Sequence, residues 1–229
     1  MCRWFFVALF LPVFTSGQSD SLSKINMAVK LNLASPFDVF NFPTISLGAE
    51  HRLTNRFSVE GEAGYQIYRF RQPDTSFVRE SGYVVKGGLR VYKPFRWSQP
   101  VVHRMRGFYS GFSVFQREEK YNTAAEYTRG SDTTKILDYY WTRKSAWGID
   151  LLLGYQTIIG ERALFDFYAG IGFLRRSIIR NELQYSAENG DQLVSSPVVD
   201  AFLSNRDLEL KPGTGLSLAF SVRIGYILY

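Results

Sequence analysis

The closing stretch Thr214 to Tyr229, TGLSLAFSVRIGYILY, decides the fold. From Leu216 every second side chain is large and apolar: Leu216, Leu218, Phe220, Val222, Ile224, Tyr226 and Leu228. The positions between them carry Ser217, Ala219, Ser221, Arg223 and Gly225. That is the two-residue period of a strand with one apolar face and one small or polar face. It is longer and more uniformly apolar on one side than a strand closing a soluble domain, and it reads as the closing strand of a membrane barrel. Tyr229 falls on the parity of Ser221 and Arg223, not on that of the apolar face.

Working outward, the same unit recurs along the chain as an alternating segment followed by a polar connection. Ile25 to Leu33, Ile45 to Glu50, Phe57 to Ile67, Tyr83 to Val91, Trp147 to Gln156 and Phe165 to Phe173 all alternate. Phe108 to Gln116 is less regular; Phe108, Phe112 and Val114 are assigned outward, with Tyr109 and Phe115 inside. Connections alternate in length, with tight turns at Thr54-Asn55 and Gly160-Glu161 and long polar segments at Arg69 to Glu80, Arg117 to Trp141 and Arg180 to Pro212. The basic connection Pro94 to Arg106 is longer than that rule gives. The expected fold is therefore all-β: an antiparallel up-and-down transmembrane β-barrel of about eight strands of roughly 9 to 11 residues, with short periplasmic turns and long extracellular loops.

Aromatic spacing sharpens this. Phe57 and Tyr65, Trp147 and Tyr155, and Phe165 and Phe173 are each eight positions apart (57 to 65, 147 to 155, 165 to 173). At about 3.3 Å per residue and a tilt near 40°, each pair is separated by about 20 Å along the membrane normal, as two aromatic girdles bordering an apolar band would be.

Composition agrees. Fourteen Tyr, 19 Phe and 19 Gly among 229 residues favour strands over helices. After the N-terminus no run approaches the roughly 18 consecutive apolar residues of a transmembrane helix. Residues 1–17 read as a signal peptide: basic Arg3, apolar Trp4 to Phe14, then small Thr15-Ser16-Gly17. Cys2, the one cysteine, would leave with it, so disulfide and thiolate chemistry are not expected. Residues 18–24 are then a short periplasmic segment and 25–229 the barrel, which places the chain in the outer membrane of a Gram-negative bacterium. The net charge of +6 is spread through connections, which favours anionic lipid over nucleic acid as partner.

With segments such as SVEGEAGYQIY, LFDFYAGIGFL and SVRIGYILY, the alternating connections and the terminal aromatic, the chain resembles the small eight-stranded outer-membrane barrels of the OmpA-transmembrane-domain and OmpX type. The resemblance covers essentially the whole of 25–229. In that family the terminal aromatic shares the lipid-facing parity, and Tyr229 departs from it.

The inward parity collects Lys30, Glu50, Glu60, Glu62, Lys86, Arg90, Asp150, Asp166 and Arg223. Acids and bases nearly cancel, as a narrow, water-poor lumen requires, and the expected role is a structural plug of ion pairs in preference to a permeation path. Partners for Arg223 are sought among Glu60, Glu62, Asp150 and Asp166, and its strand is expected to close against Ile25 to Leu33. No catalytic, cofactor or metal site is assigned: His51 and His103 fall at the periplasmic ends, and Gly170-x-Gly172 lies mid-strand without a following helix. At the opposite end Arg69, Arg71, Arg143, Lys144, Arg175 and Arg176 form a basic rim suited to lipopolysaccharide phosphates.

The functional expectation is a monomeric, non-enzymatic barrel with a structural, adhesion or envelope-stability role through its loops. Alternatives are a narrow channel or a component of a secretion or transport assembly, docked by an envelope protein at the loops or at the 93–106 connection. A soluble lipocalin-like carrier, with the apolar parity inward, or a lipid-modifying barrel enzyme are further alternatives.

Overall fold

In the computed structural model the described residues are 27–35, 44–54, 56–66, 81–92, 105–129, 134–194 and 212–228. The strands are β1 (Met27–Asn32), β2 (Thr44–Arg52), β3 (Phe57–Gln66), β4 (Ser81–Tyr92), β5 (Gly107–Thr128), β6 (Lys135–Ile159), β7 (Ala163–Asn181), the two-residue β8 (Gln192–Leu193) and β9 (Gly213–Leu228). A single 3₁₀ turn spans Ala187–Asn189.

Eight of these strands close on themselves. Each pairs antiparallel with its sequence neighbour from β1 to β7, β7 pairs with β9, and β9 returns to β1. The hydrogen-bonded row from Arg223 on β9 runs through Asn32, Ser46, Gly64, Val84, Arg117, Ala146 and Arg176, and comes back to β9 at Gly213. The offset from 223 to 213 is a shear of ten residues. Eight strands with that stagger tilt by about 40°, and they enclose a lumen just wide enough for side chains to fill.

Alternation places the two parities on opposite surfaces, and the apolar one is outside. Leu151 and Leu153 on β6, Phe173 on β7 and Leu218 on β9 are each 67 to 73% exposed. Glu50, Arg90 and Asp166 are fully buried. A carrier with an apolar interior is thereby excluded, since it needs the reverse parity. In β5, Phe108, Phe112 and Val114 face out and Tyr109 and Phe115 in, as the sequence pattern indicates.

Glycine makes room for this interior. A Cβ at Gly154 would lie 2.4 Å from the Tyr109 ring, and one at Gly172 would lie 1.9 Å from the Ile149 carbonyl oxygen. Strand-breaking residues are tolerated here because large side chains and neighbouring backbone approach so closely.

The last residues of β2, β4 and β6 and the first of β3, β5 and β7 lie at one end, the turn end. There Met105, just before β5, is wholly buried and belongs to one apolar cluster with Ala28, Tyr92, Tyr109, Leu152, Leu164, Tyr168 and Ile227. Its carbonyl accepts a 2.8 Å hydrogen bond from Gln156 Nε2.

The other end differs from expectation. β4 ends its pairing with β5 at Lys120 and β9 ends its pairing with β7 at Arg176, but β5, β6 and β7 continue, so a three-stranded ribbon projects from the rim. The β5 part, from Lys120 to Thr128, is about 25 Å long at 3.3 Å per residue. Strands β5, β6, β7 and β9 have 22, 25, 19 and 16 residues, not 9 to 11, and most of the polar connection Arg117 to Trp141 is a hairpin. Above the apolar band no single face must be greasy, so the alternation fades. Tyr121, Tyr127, Tyr139, Tyr140 and Thr142 still favour extended backbone. The segment after β7 folds onto the ribbon: β8 pairs with Tyr127 and Thr128, and Gln184 N donates to Asp138 Oδ2 at 2.6 Å.

Candidate functional site: a lumenal ion cluster and a basic face above it

Two adjoining interior regions carry almost all the charge chemistry. The lower one is built by inward positions of β1 to β4, β6, β7 and β9. Asp166 lies at its centre, with Oδ2 accepting from Lys30 Nζ and from Arg90 Nη1, each at 2.9 Å. Arg223 Nη1 approaches the same carboxylate at 3.8 Å and donates to Glu60 Oε2 at 2.9 Å. Arg223 also binds Glu62, Arg90 binds Glu60, and Lys30 binds Glu50. Lys86 reaches Glu62 at 3.6 Å from the upper margin. Lys30, Lys86, Arg90 and Arg223 thus face Glu50, Glu60, Glu62 and Asp166, four charges against four.

Neutral groups complete the coordination. Gln156 Oε1 accepts from Lys30 at 2.7 Å and from Arg90 at 3.1 Å. Tyr92 donates to Glu50 Oε1 at 2.6 Å and Tyr109 to Asp166 Oδ1 at 2.7 Å. Arg223 Nη2 donates to Tyr168 Oη at 2.9 Å, and its Cζ lies 4.6 Å from that ring centroid; Arg90 Cζ lies 4.3 Å from the Tyr109 centroid. Desolvated ions are tolerated only with such partners, since each has lost its water.

All nine residues of the inward charge set lie on the interior parity, and eight of them join this network. Asp150 is not brought to Arg223: it sits one level higher, hydrogen-bonded by Ser217, and the cations that act on it are Lys86 and Arg117. The reason is register, since Asp150 opposes Ser113 and Gly172, whereas Asp166 directly opposes Arg223. Gln156, Tyr92, Tyr109 and Tyr168 were not singled out as partners. Their signal was available, because each shares the parity of a charged neighbour.

The basic rim residues divide between two faces. Arg143 and Arg175 lie on the outer parity, with Trp147 opposite Arg175 across the strand pair. Lys144 and Arg176 lie on the inner parity, facing away from that surface. Arg69, Arg71 and the connection 93–104 lie outside the described residues, as do Tyr229 and His103. On the outer face Arg143 donates to Glu118 Oε2 at 2.6 Å and Lys120 pairs with Glu118 Oε1 at 3.1 Å. Burial acts to raise the Glu118 carboxyl, but the bonds from Arg143 and Lys120 outweigh it and hold the group below its usual value.

Of the aromatic pairs, Phe57, Tyr155 and Phe165 lie toward the turn end and Tyr65, Trp147 and Phe173 toward the loop end. All six point outward and are exposed. Phe108 joins the first ring, its centroid 4.9 Å from that of Tyr155, and Tyr226 joins it with Arg162 Nη1 donating to its hydroxyl at 2.7 Å.

No group of three metal-ligating side chains occurs among the described residues, and His51, next to Glu50 on β2, is exposed on the opposite, outer face. What the fold and interior define is a closed eight-stranded antiparallel barrel with a charged, filled lumen and an apolar exterior. The chain belongs to the family described as "Protein of unknown function (DUF3575)", whose model matches residues 4–196 and so ends before β9. Comparison with curated proteins and with solved structures gives no match.

Proposed function

We propose that this chain is a non-enzymatic integral outer-membrane barrel of a Gram-negative envelope, similar to the small OmpA and OmpX type barrels, and that it acts through the β5–β6–β7 ribbon. One observation carries the reading: the apolar parity of all eight barrel strands is on the outside, while ionised side chains fill the inside. A continuous exposed apolar belt in water is an aggregation liability, whereas in a bilayer it is the required surface. The two aromatic rings fit the interfaces, with the turn end periplasmic and the ribbon external. A lumen filled by Arg90, Tyr92, Tyr109 and Met105 favours a structural or adhesive role over conduction. On the outer face Arg143 and Arg175 stand just above Trp147 and Phe173, at the height where lipopolysaccharide phosphates would meet them.

Membrane fractionation tests this directly. The protein is expected in outer membranes, to resist carbonate extraction, and to change gel mobility on boiling as a closed barrel does; recovery as a soluble periplasmic protein without that change would refute it.

A further inference from the structure

The two faces of the β5–β6–β7 ribbon are finished differently. On the inner face Tyr121, Tyr127 and Tyr140 are buried, the Tyr185 ring meets Tyr127 edge-on with centroids 5.4 Å apart, and the chain after β7 docks through Asp138 and β8. The outer face keeps Tyr139 and Ile179 exposed, with Trp141 half-buried between them. Single apolar side chains on a surface are ordinary, but adjoining ones rimmed by polar groups mark a surface that is covered in use.

Register sets what this face offers. Trp141 on β6 stands directly opposite Asn122 on β5 and Asn181 on β7. An indole therefore lies between two carboxamides, each about 5 Å away at Cβ. Tyr139 is the next outward position above it, and Arg143, opposite Lys120 and Ile179, is the next below. Arg143 and Lys120 are already engaged by Glu118, so above them the face presents aromatic surface and neutral hydrogen-bonding groups in place of free charge. That combination suits a sugar: an aromatic ring covers the apolar C–H face of a pyranose, and a carboxamide carries both donors and an acceptor for the hydroxyls at its edge.

Position narrows the occupant. The outer parity of β6 runs without a break from Leu151 and Ile149 through Trp147 to Arg143, Trp141 and Tyr139, so this face looks sideways, along the surface that the apolar belt begins. At about 3.3 Å per residue and a tilt near 40°, Trp141 and Tyr139 stand about 15 and 20 Å above Trp147. On the bilayer reading, on which this inference rests, that level lies above the lipid phosphates and among the sugars of the surrounding glycolipid. We propose that Trp141, Tyr139, Asn122 and Asn181 form a lateral docking face for the inner-core oligosaccharide of lipopolysaccharide, with sugar rings stacked on the two aromatic side chains and hydroxyls bonded by the two carboxamides.

The test uses the full chain, folded in a neutral detergent free of lipopolysaccharide and titrated with core oligosaccharide that has been released from lipid A by mild acid and dephosphorylated. Saturation-transfer NMR of the sugar protons reads the binding. Saturable binding is expected, weakened at least about fivefold by Trp141→Ala and about threefold by Tyr139→Ala or Asn181→Ala. Trp141→Phe keeps a stacking ring and should recover most of the loss, which a merely structural role for Trp141 would not require. Phe108→Ala, at an exposed aromatic of the turn end, should stay within about twofold of the parent. Each variant must retain heat-modifiable gel mobility; Tyr139 and Asn181 are exposed, so their variants decide the matter if Trp141→Ala does not fold. No saturable binding, an equal loss in Phe108→Ala, binding of intact lipopolysaccharide with the oligosaccharide silent, or a dimer of the chain that Tyr139→Ala dissolves would each overturn the proposal. The oligosaccharide is soluble and its titration needs no bilayer, so this result and that of membrane fractionation can fail separately.

Discussion

The interior of the barrel and the ribbon above it use the same residue types to opposite ends. At Asp166, three cations converge on a carboxylate that water does not reach, and every charge is matched. At Glu118, Arg143 and Lys120 meet a carboxylate on the outer face with their own side chains partly in solvent. Ion pairs matter to stability according to what their loss leaves behind. In the lumen a lost partner strands a desolvated charge, whereas on the ribbon water takes its place.

Breaking the inner set should therefore have the largest effect. Asp166→Asn keeps the shape but leaves Lys30 and Arg90 short of a counter-charge, and should cost about 3 to 5 kcal/mol in reversible urea unfolding from lipid vesicles. A loss under about 1 kcal/mol would mean the lumen is wetter than its packing implies.

The outer surfaces allow a second contrast at similar exposure. Leu151, midway between Trp147 and Tyr155 on β6, is 67% exposed, and Leu137, on the same face of the same strand in the ribbon, is 56% exposed. Leu151→Arg should cost about 2 to 4 kcal/mol in a bilayer, as a cation placed at mid-depth. Leu137→Arg should change stability by no more than about 0.5 kcal/mol, as a substitution in water. Equal small effects would remove the bilayer from the account.

The smallest effect concerns pH. Because Arg143 and Lys120 hold the folded Glu118 carboxyl below its ordinary value of 4.5, its contribution is fully present above that value and is lost as pH falls through the folded one. Amide exchange at the base of the β5–β6 hairpin should quicken on acidification over that window, and Glu118→Gln should abolish this dependence while costing under about 1 kcal/mol at neutral pH. An unchanged acid response in the variant would assign it to another group.

Much of this was legible in one dimension. A strand sends alternate side chains to opposite faces, so parity alone separated Leu218 and Phe220 from Arg223, and grouped Lys30, Glu50 and Arg90 before any contact was known. Closure was expected from the same alternation and from the alternating connection lengths, and the family resemblance agreed with it. The ribbon was not legible, because from Arg117 to Trp141 neither face is uniformly apolar and pattern gives way to backbone pairing. Nor was the split of the basic rim: Arg175 and Arg176 are adjacent in sequence, and only the observed continuation of β7 through Asn181 put them on opposite sides.

The sequence by itself determined that the chain is all-β, about how many strands it has, which face of each is apolar and which residues line the interior, since these follow from a period of two. Only the tertiary structure decided which of those residues meet. A ten-residue shear carries a row of hydrogen bonds from Arg223 round to Gly213, and pair by pair it sets Asp166 opposite Arg223, leaves Asp150 a level above, and seats Trp141 between Asn122 and Asn181. Register is a property of the closed sheet as a whole, and no single strand contains it.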